Sequence, residues 1–83
     1  MDTAHQVHGV IEGAWKIFKE FGFEALSDEQ WEKLVQNQKT VLLPKGQKLG
    51  DAEYFFARAV MTAIDNYYRE KGQLQEYAKK DKM

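Results

Sequence analysis

The run Asp51-Ala-Glu-Tyr54-Phe-Phe-Ala57-Arg-Ala-Val60-Met-Thr-Ala-Ile64-Asp-Asn-Tyr67-Tyr-Arg-Glu-Lys71 decides how this chain folds. It carries two apolar series. Tyr54, Ala57, Met61, Ile64 and Tyr68 form one; Phe56, Val60, Ala63 and Tyr67 form the other. Each steps alternately by three and four, the spacing that keeps side chains on one side of a helix. At about 100° per residue the two series lie side by side and cover more than half the circumference, wider than the stripe of an ordinary surface helix. A helix of this kind needs two neighbours, from its own chain or from another molecule.

Working back toward the N-terminus, Asp2 or Thr3 can cap a first helix over about 3–21,. Val7, Val10, Ile11, Ala14, Ile17, Phe18 and Phe21 fall on one face of it, with His5, Glu12, Lys16 and Glu20 opposite. Gly22 is placed as a left-handed stop, and Phe23 can supply the hydrophobic contact that accompanies it,. Ser27-Asp-Glu-Gln30 is a capping box that opens a second helix over about 28–39, with Trp31, Leu34 and Val35 as its stripe,.

Pro44, the only proline, disfavours helix at Leu43, so Val41-Leu42-Leu43 is expected to be extended and to lie over the bundle as a lid,. A third helix then spans about 51–71, with Asp51 as N-cap, Glu53 near the positive end and Asp65–Arg69 as an i,i+4 pair,. Gly72 is a natural stop, yet Leu74, Tyr77 and Ala78 return to the Phe56–Tyr67 side if the helix continues, so 73–83 is either frayed or a helical tail. The expectation is a single all-α domain. It is a small three-helix bundle with a Pro- and Gly-containing extended connection between helices 2 and 3. Its expected core is Val10, Ile11, Ala14, Ile17, Phe18, Phe21, Trp31, Leu34, Phe56, Val60, Ala63, Ile64 and Tyr67.

Composition narrows the function classes. With 83 residues, 43% of them hydrophobic and 13% aromatic, the chain can form one compact core but not two,. Zero cysteines exclude disulfides and thiolate metal sites,. No apolar run approaches the roughly 20 residues of a membrane span, so no membrane partner is expected. Met1-Asp-Thr-Ala-His5 has no signal-peptide pattern, so a cytoplasmic location is expected,. Formal charge is −1, unevenly spread: residues 1–39 hold seven acids and four bases, residues 40–83 six acids and eight bases. That asymmetry is far from the clustered basic face of a dedicated nucleic-acid binder.

Few residues offer chemistry. His5, His8 and Glu12 share a helical face and could ligate zinc, but the simpler reading is a solvated face at a helix end, and no metal or cofactor is expected,. Gly9 and Gly13 repeat at the spacing of a close-packed helix pair, yet on a charged amphipathic helix they read first as neutral positions,. Gly46-Gln-Lys-Leu-Gly50 lacks the Gly-Lys-Ser/Thr of a phosphate loop, and Asp51 would repel the phosphate,. The one serine, Ser27, is committed to a cap, and the carboxylates lie on solvated faces,. No enzyme is expected. The long connection between helices 2 and 3 and the apolar character of the third argue against a helix-turn-helix.

What remains is aromatic. Of Tyr54, Phe55 and Phe56, one must leave the core face, and Phe55 falls with Arg58, Thr62, Asp65 and Arg69,. The expected function is a non-catalytic protein-interaction module presenting a helical surface, with Tyr54, Phe55, Met61, Tyr68, Leu74 and Tyr77 as contact residues and a second copy of the chain as one partner. In such a homodimer Tyr68 and the residues after Gly72 meet their counterparts, with Met61 at the inner edge. The alternative is a small nucleic-acid-associated regulator using Phe55, Arg58, Arg69 and the loop and tail lysines Lys45, Lys48, Lys79, Lys80 and Lys82.

Overall fold

In the computed structural model, helices α1 (Thr3–Phe21), α2 (Asp28–Leu42) and α3 (Asp51–Asp81) pack as an all-α three-helix bundle. The structure describes residues 3–44, 46 and 48–81, with the backbone alone for 75–81. Two long-range hydrogen bonds fix the arrangement of α1 and α3. The Gly50 N–H donates to Gln6 Oε1 at 3.0 Å, and Tyr68 Oη donates to the Gly22 carbonyl at 2.6 Å. Both ends of α1 therefore meet residues about 45 positions further on, so the two helices run parallel and level. The intervening α2 runs antiparallel to both.

The inner seam of α3 is the series Tyr54, Ala57, Met61, Ile64 and Tyr68; of these, Ala57, Met61, Ile64 and Tyr68 are buried and Tyr54 is half-buried. At one end of the bundle Ile17, Phe21 and Leu34 surround Met61, Ile64 and Tyr68. At the other, Val10, Leu49 and Ala57 form a smaller cluster joined to the first through Val41, Leu42 and Val60. Ala14, Phe18, Trp31, Val60 and Tyr67 pack against this core half-buried, as expected. Three expected core residues lie outside it. Ile11, Phe56 and Ala63 are exposed. The second seam of α3 faces the flank of α1, where no third helix covers it.

Local chemistry accounts for most boundaries. Ser27 Oγ accepts from the Gln30 N–H at 3.2 Å and the Gln30 side chain accepts from the Ser27 N–H at 2.9 Å, so the capping box is complete. Gly22 has φ +79, and its N–H closes α1 on the Phe18 carbonyl at 2.8 Å while the Phe18 and Phe23 rings stack 5.8 Å apart. A side chain at Gly22 would strain this left-handed stop.

Other boundaries differ from the expectation. Val41 and Leu42 are the last turn of α2, not an extended lid, because both side chains pack into the core. Only Leu43 leaves the helix (φ −128, ψ 71), where Pro44 makes helical backbone unfavourable,. The lid residue is Leu49, buried against Val10 and Ala57. Gly50 rather than Asp51 caps α3, its carbonyl accepting from the Tyr54 N–H at 2.8 Å. The helix runs through Gly72, at which an added Cβ would meet nothing within 4 Å. Asp65 pairs with α2 instead of Arg69. The buried Gln38 donates Nε2 to Asp65 Oδ1 at 2.7 Å and to the Met61 carbonyl at 3.3 Å, and Arg69 turns to Asn66.

Candidate contact surface

The six expected contact residues separate. Met61 and Tyr68 are core residues of their own chain, 4% and 1% exposed, and offer nothing to a partner. Tyr68 is held further by its hydrogen bond to Gly22 and by ring contacts with Phe18, Trp31 and Tyr67. Burial raises its phenol pKa above the ordinary range, and the neighbouring Tyr67 adds to the rise. The sequence could not show this, because a tyrosine at a seam end looks the same whether a loop carbonyl waits for its hydroxyl or solvent does. Leu74 is exposed on the projecting half of α3, and the side chain of Tyr77 lies outside the described residues.

Tyr54 and Phe55 do come together. With Leu42, Leu43, Lys48 and Leu49 they line a shallow hollow of about 350 Å³ at the start of α3, where Leu43 and Phe55 are the most exposed large apolar side chains. Arg58 and Arg69 fall on the same side of α3 as Phe55 and are exposed. So do Thr62 and Asp65, and Asp51 joins the rim, so basic charge does not accumulate there.

A larger apolar surface lies elsewhere and was missed in the sequence. Taking the buried line of α1 as Val10, Ile17 and Phe21, Phe18 lies about 80° round from it and meets Tyr67 of α3 edge-on at 5.3 Å,. Ile11 and Trp15 lie about 20° and 60° further in the same direction, past the contact and out on the surface beside α3. They are 54% and 56% exposed. On α3 the mirror-image flank holds Phe56, 37% exposed, with Ala52, Ala59 and Ala63, all exposed. Because α1 and α3 are level, Ile11 stands beside Phe56, and Trp15 stands beside the turn containing Ala59 and Ala63. By this helix geometry the exposed Ile11, Trp15 and Phe56 share a face two helices wide with the small side chains of Ala59 and Ala63,. The available signal was the i,i+4 pair Ile11 and Trp15, whose placement depends on which side of α1 receives α2.

That side is set by Gly13. A Cβ built there would lie 2.7 Å from Val41 Cγ2, so α2 approaches α1 closely at this glycine. Gly9, one turn earlier, faces open space. Around it runs a groove of about 540 Å³ rimmed by His5, Glu12, Lys16 and Glu20. His8 Nδ1 and Glu12 Oε2 are 3.8 Å apart on exposed side chains. Among the described residues no set of three or more acidic or histidine side chains is arranged to hold a metal. No buried side-chain nitrogen or oxygen among them lacks a hydrogen-bond partner. No helix among the described residues is long and apolar enough to cross a membrane. No protein family, no curated protein and no solved structure matches the chain.

Proposed function

We propose that this protein is a non-catalytic interaction module that presents the outer α1/α3 face to a protein partner. One observation carries the reading: Trp15 and Ile11 stand more than half exposed beside Phe56 and exposed alanines, with no charged residue between them. Clustered apolar exposure of this kind marks contact surfaces, and a tryptophan is a frequent energetic anchor within them. Several polar groups support the reading by their employment in structure: Ser27 in a cap, Gln38 and Asp65 in a helix–helix bond, Asn37 Nδ2 donating to Glu20 Oε2 at 2.7 Å across α1 and α2.

The test uses three baits in extracts of the native host: the wild-type chain, Trp15→Glu, and Phe55→Glu as a control on the other hollow. The expected result is a protein retained by wild type and Phe55→Glu but lost from Trp15→Glu, with helical circular dichroism equal in all three. Identical captured sets would overturn the reading.

A further inference from the structure

Resting on the reading of the outer α1/α3 face as a contact surface, we infer that its occupant is a second copy of this chain, docked about a two-fold axis. The argument is one of shape, size and charge. A two-fold interface uses the same patch on both partners, so the patch must be complementary to itself. This one carries a ridge and a trough side by side: Ile11 and Trp15 stand proud of α1, while Ala59 and Ala63 leave α3 low beside them. Turning one copy through a half-circle over the other places each Trp15 above the partner's alanines, and both contacts form at once.

The dimensions suit a dimer. The nineteen residues of α1 extend about 28 Å at 1.5 Å per residue, and two helices side by side span about 20 Å with their side chains,. A face of that size has a footprint of about 560 Å² per partner, roughly 1,100 Å² over both, which is the size of a weak, reversible interface,. The chain exposes 6407 Å² in all, so such an interface is a modest share of it. Flanking charges are of both signs, with Glu12 and Lys19 on α1 and Glu70 on α3, so two copies can meet without a block of like charge.

Sedimentation equilibrium and light scattering across the micromolar range test the inference on the full chain. The wild type is expected to move from 9.7 kDa toward twice that mass as concentration rises. Trp15→Glu, which puts charge on the ridge, and Ala63→Arg, which fills the trough, are each expected to remain at single-chain mass with unchanged helicity. Leu43→Glu, on the separate hollow, is expected to dimerise as wild type does. In two-dimensional amide spectra, dilution is expected to move Ile11–Trp15 and Phe56–Ala63 and to leave Leu34 and Gln38 in place. Single-chain mass for the wild type at every concentration overturns the inference, as does a dimer that survives both Trp15→Glu and Ala63→Arg, or one that only Leu43→Glu dissolves. If the wild type is monomeric while Trp15→Glu still loses a captured protein, the second copy is refuted and the contact-surface reading stands.

Discussion

Tyr68 shows how one side chain ties a loop to the core. Its ring fills the centre of the larger cluster, and its hydroxyl reaches out of that cluster to the carbonyl of Gly22, the residue that stops α1. Replacing Tyr68 with Phe keeps the ring and leaves that carbonyl without its donor, so a loss of about 1 kcal/mol is expected in urea unfolding. Alkaline pH should act through the same group. Because its folded-state pKa is raised, folding favours the protonated phenol. That contribution is fully present below the unfolded-state value of about 10 and is lost as pH rises through the higher folded-state value,. Wild type should therefore lose stability above about pH 10 more steeply than Tyr68→Phe, which thermal melts of both proteins across that range would show. The two glycines of α1 make a second residue-level contrast. Gly9→Ala meets open space and should stabilise by about 1 kcal/mol through helix propensity,. Gly13→Ala drives a methyl into Val41, whose branched side chain has little freedom to turn aside, and should cost about 1–3 kcal/mol in the same unfolding assay,.

At the scale of elements, α2 is the short member that closes the bundle. Its start depends on the reciprocal bonds of Ser27 and Gln30, and Ser27→Ala should lower stability by about 1 kcal/mol,. An unchanged melting midpoint would show that the box carries no weight. Its register against α3 rests on Gln38, whose amide serves both Asp65 and a helix carbonyl. Its final turn survives the approach of Pro44 because Val41 and Leu42 gain burial there that outweighs the weak helix propensity of a β-branched residue,. Past the latch at Tyr68, α3 runs on for thirteen residues to Asp81, about 20 Å at 1.5 Å per residue,. Leu74 stands exposed on that projection.

On the scale of the whole molecule, the described residues include apolar surface at the outer α1/α3 face and at the hollow around Phe55. The reading of the second as a nucleic-acid platform has a direct check. Phosphate contacts weaken steeply with salt, whereas apolar helix contacts barely respond. With Asp51 and Asp65 on the same side as Arg58 and Arg69, a fluorescent single-stranded oligonucleotide is expected to show no saturable binding at physiological salt. Saturable binding that falls with salt and disappears in Phe55→Ala would reverse the order of the two readings. Three helices surround one axis, and each shows only part of its circumference to the other two. The wide apolar arcs of α1 and α3 therefore exceed what the chain itself can cover, and the excess, Ile11, Trp15 and Phe56 among it, is left exposed.

Helix number, the Ser27 cap, the Gly22 stop and the role of Pro44 at Leu43 were all legible in the sequence, because each is decided by bonds and backbone sterics within a few residues. The inner series of α3 was legible as a seam but not as the inner one. With two seams about 100° apart, periodicity gives the shape of the apolar arc without its orientation. Orientation came from contacts far apart in the chain: Val41 seated at Gly13, Gln38 bonded to Asp65, and Tyr68 latched to Gly22. Those contacts turned Tyr68 and Met61 inward and left Ile11, Trp15 and Phe56 outside. Sequence alone determined that this chain makes three helices, the third with more apolar surface than one stripe, since that follows from local spacing. Only tertiary structure decided which part of that surface stays in water, since burial depends on where neighbouring helices come to rest.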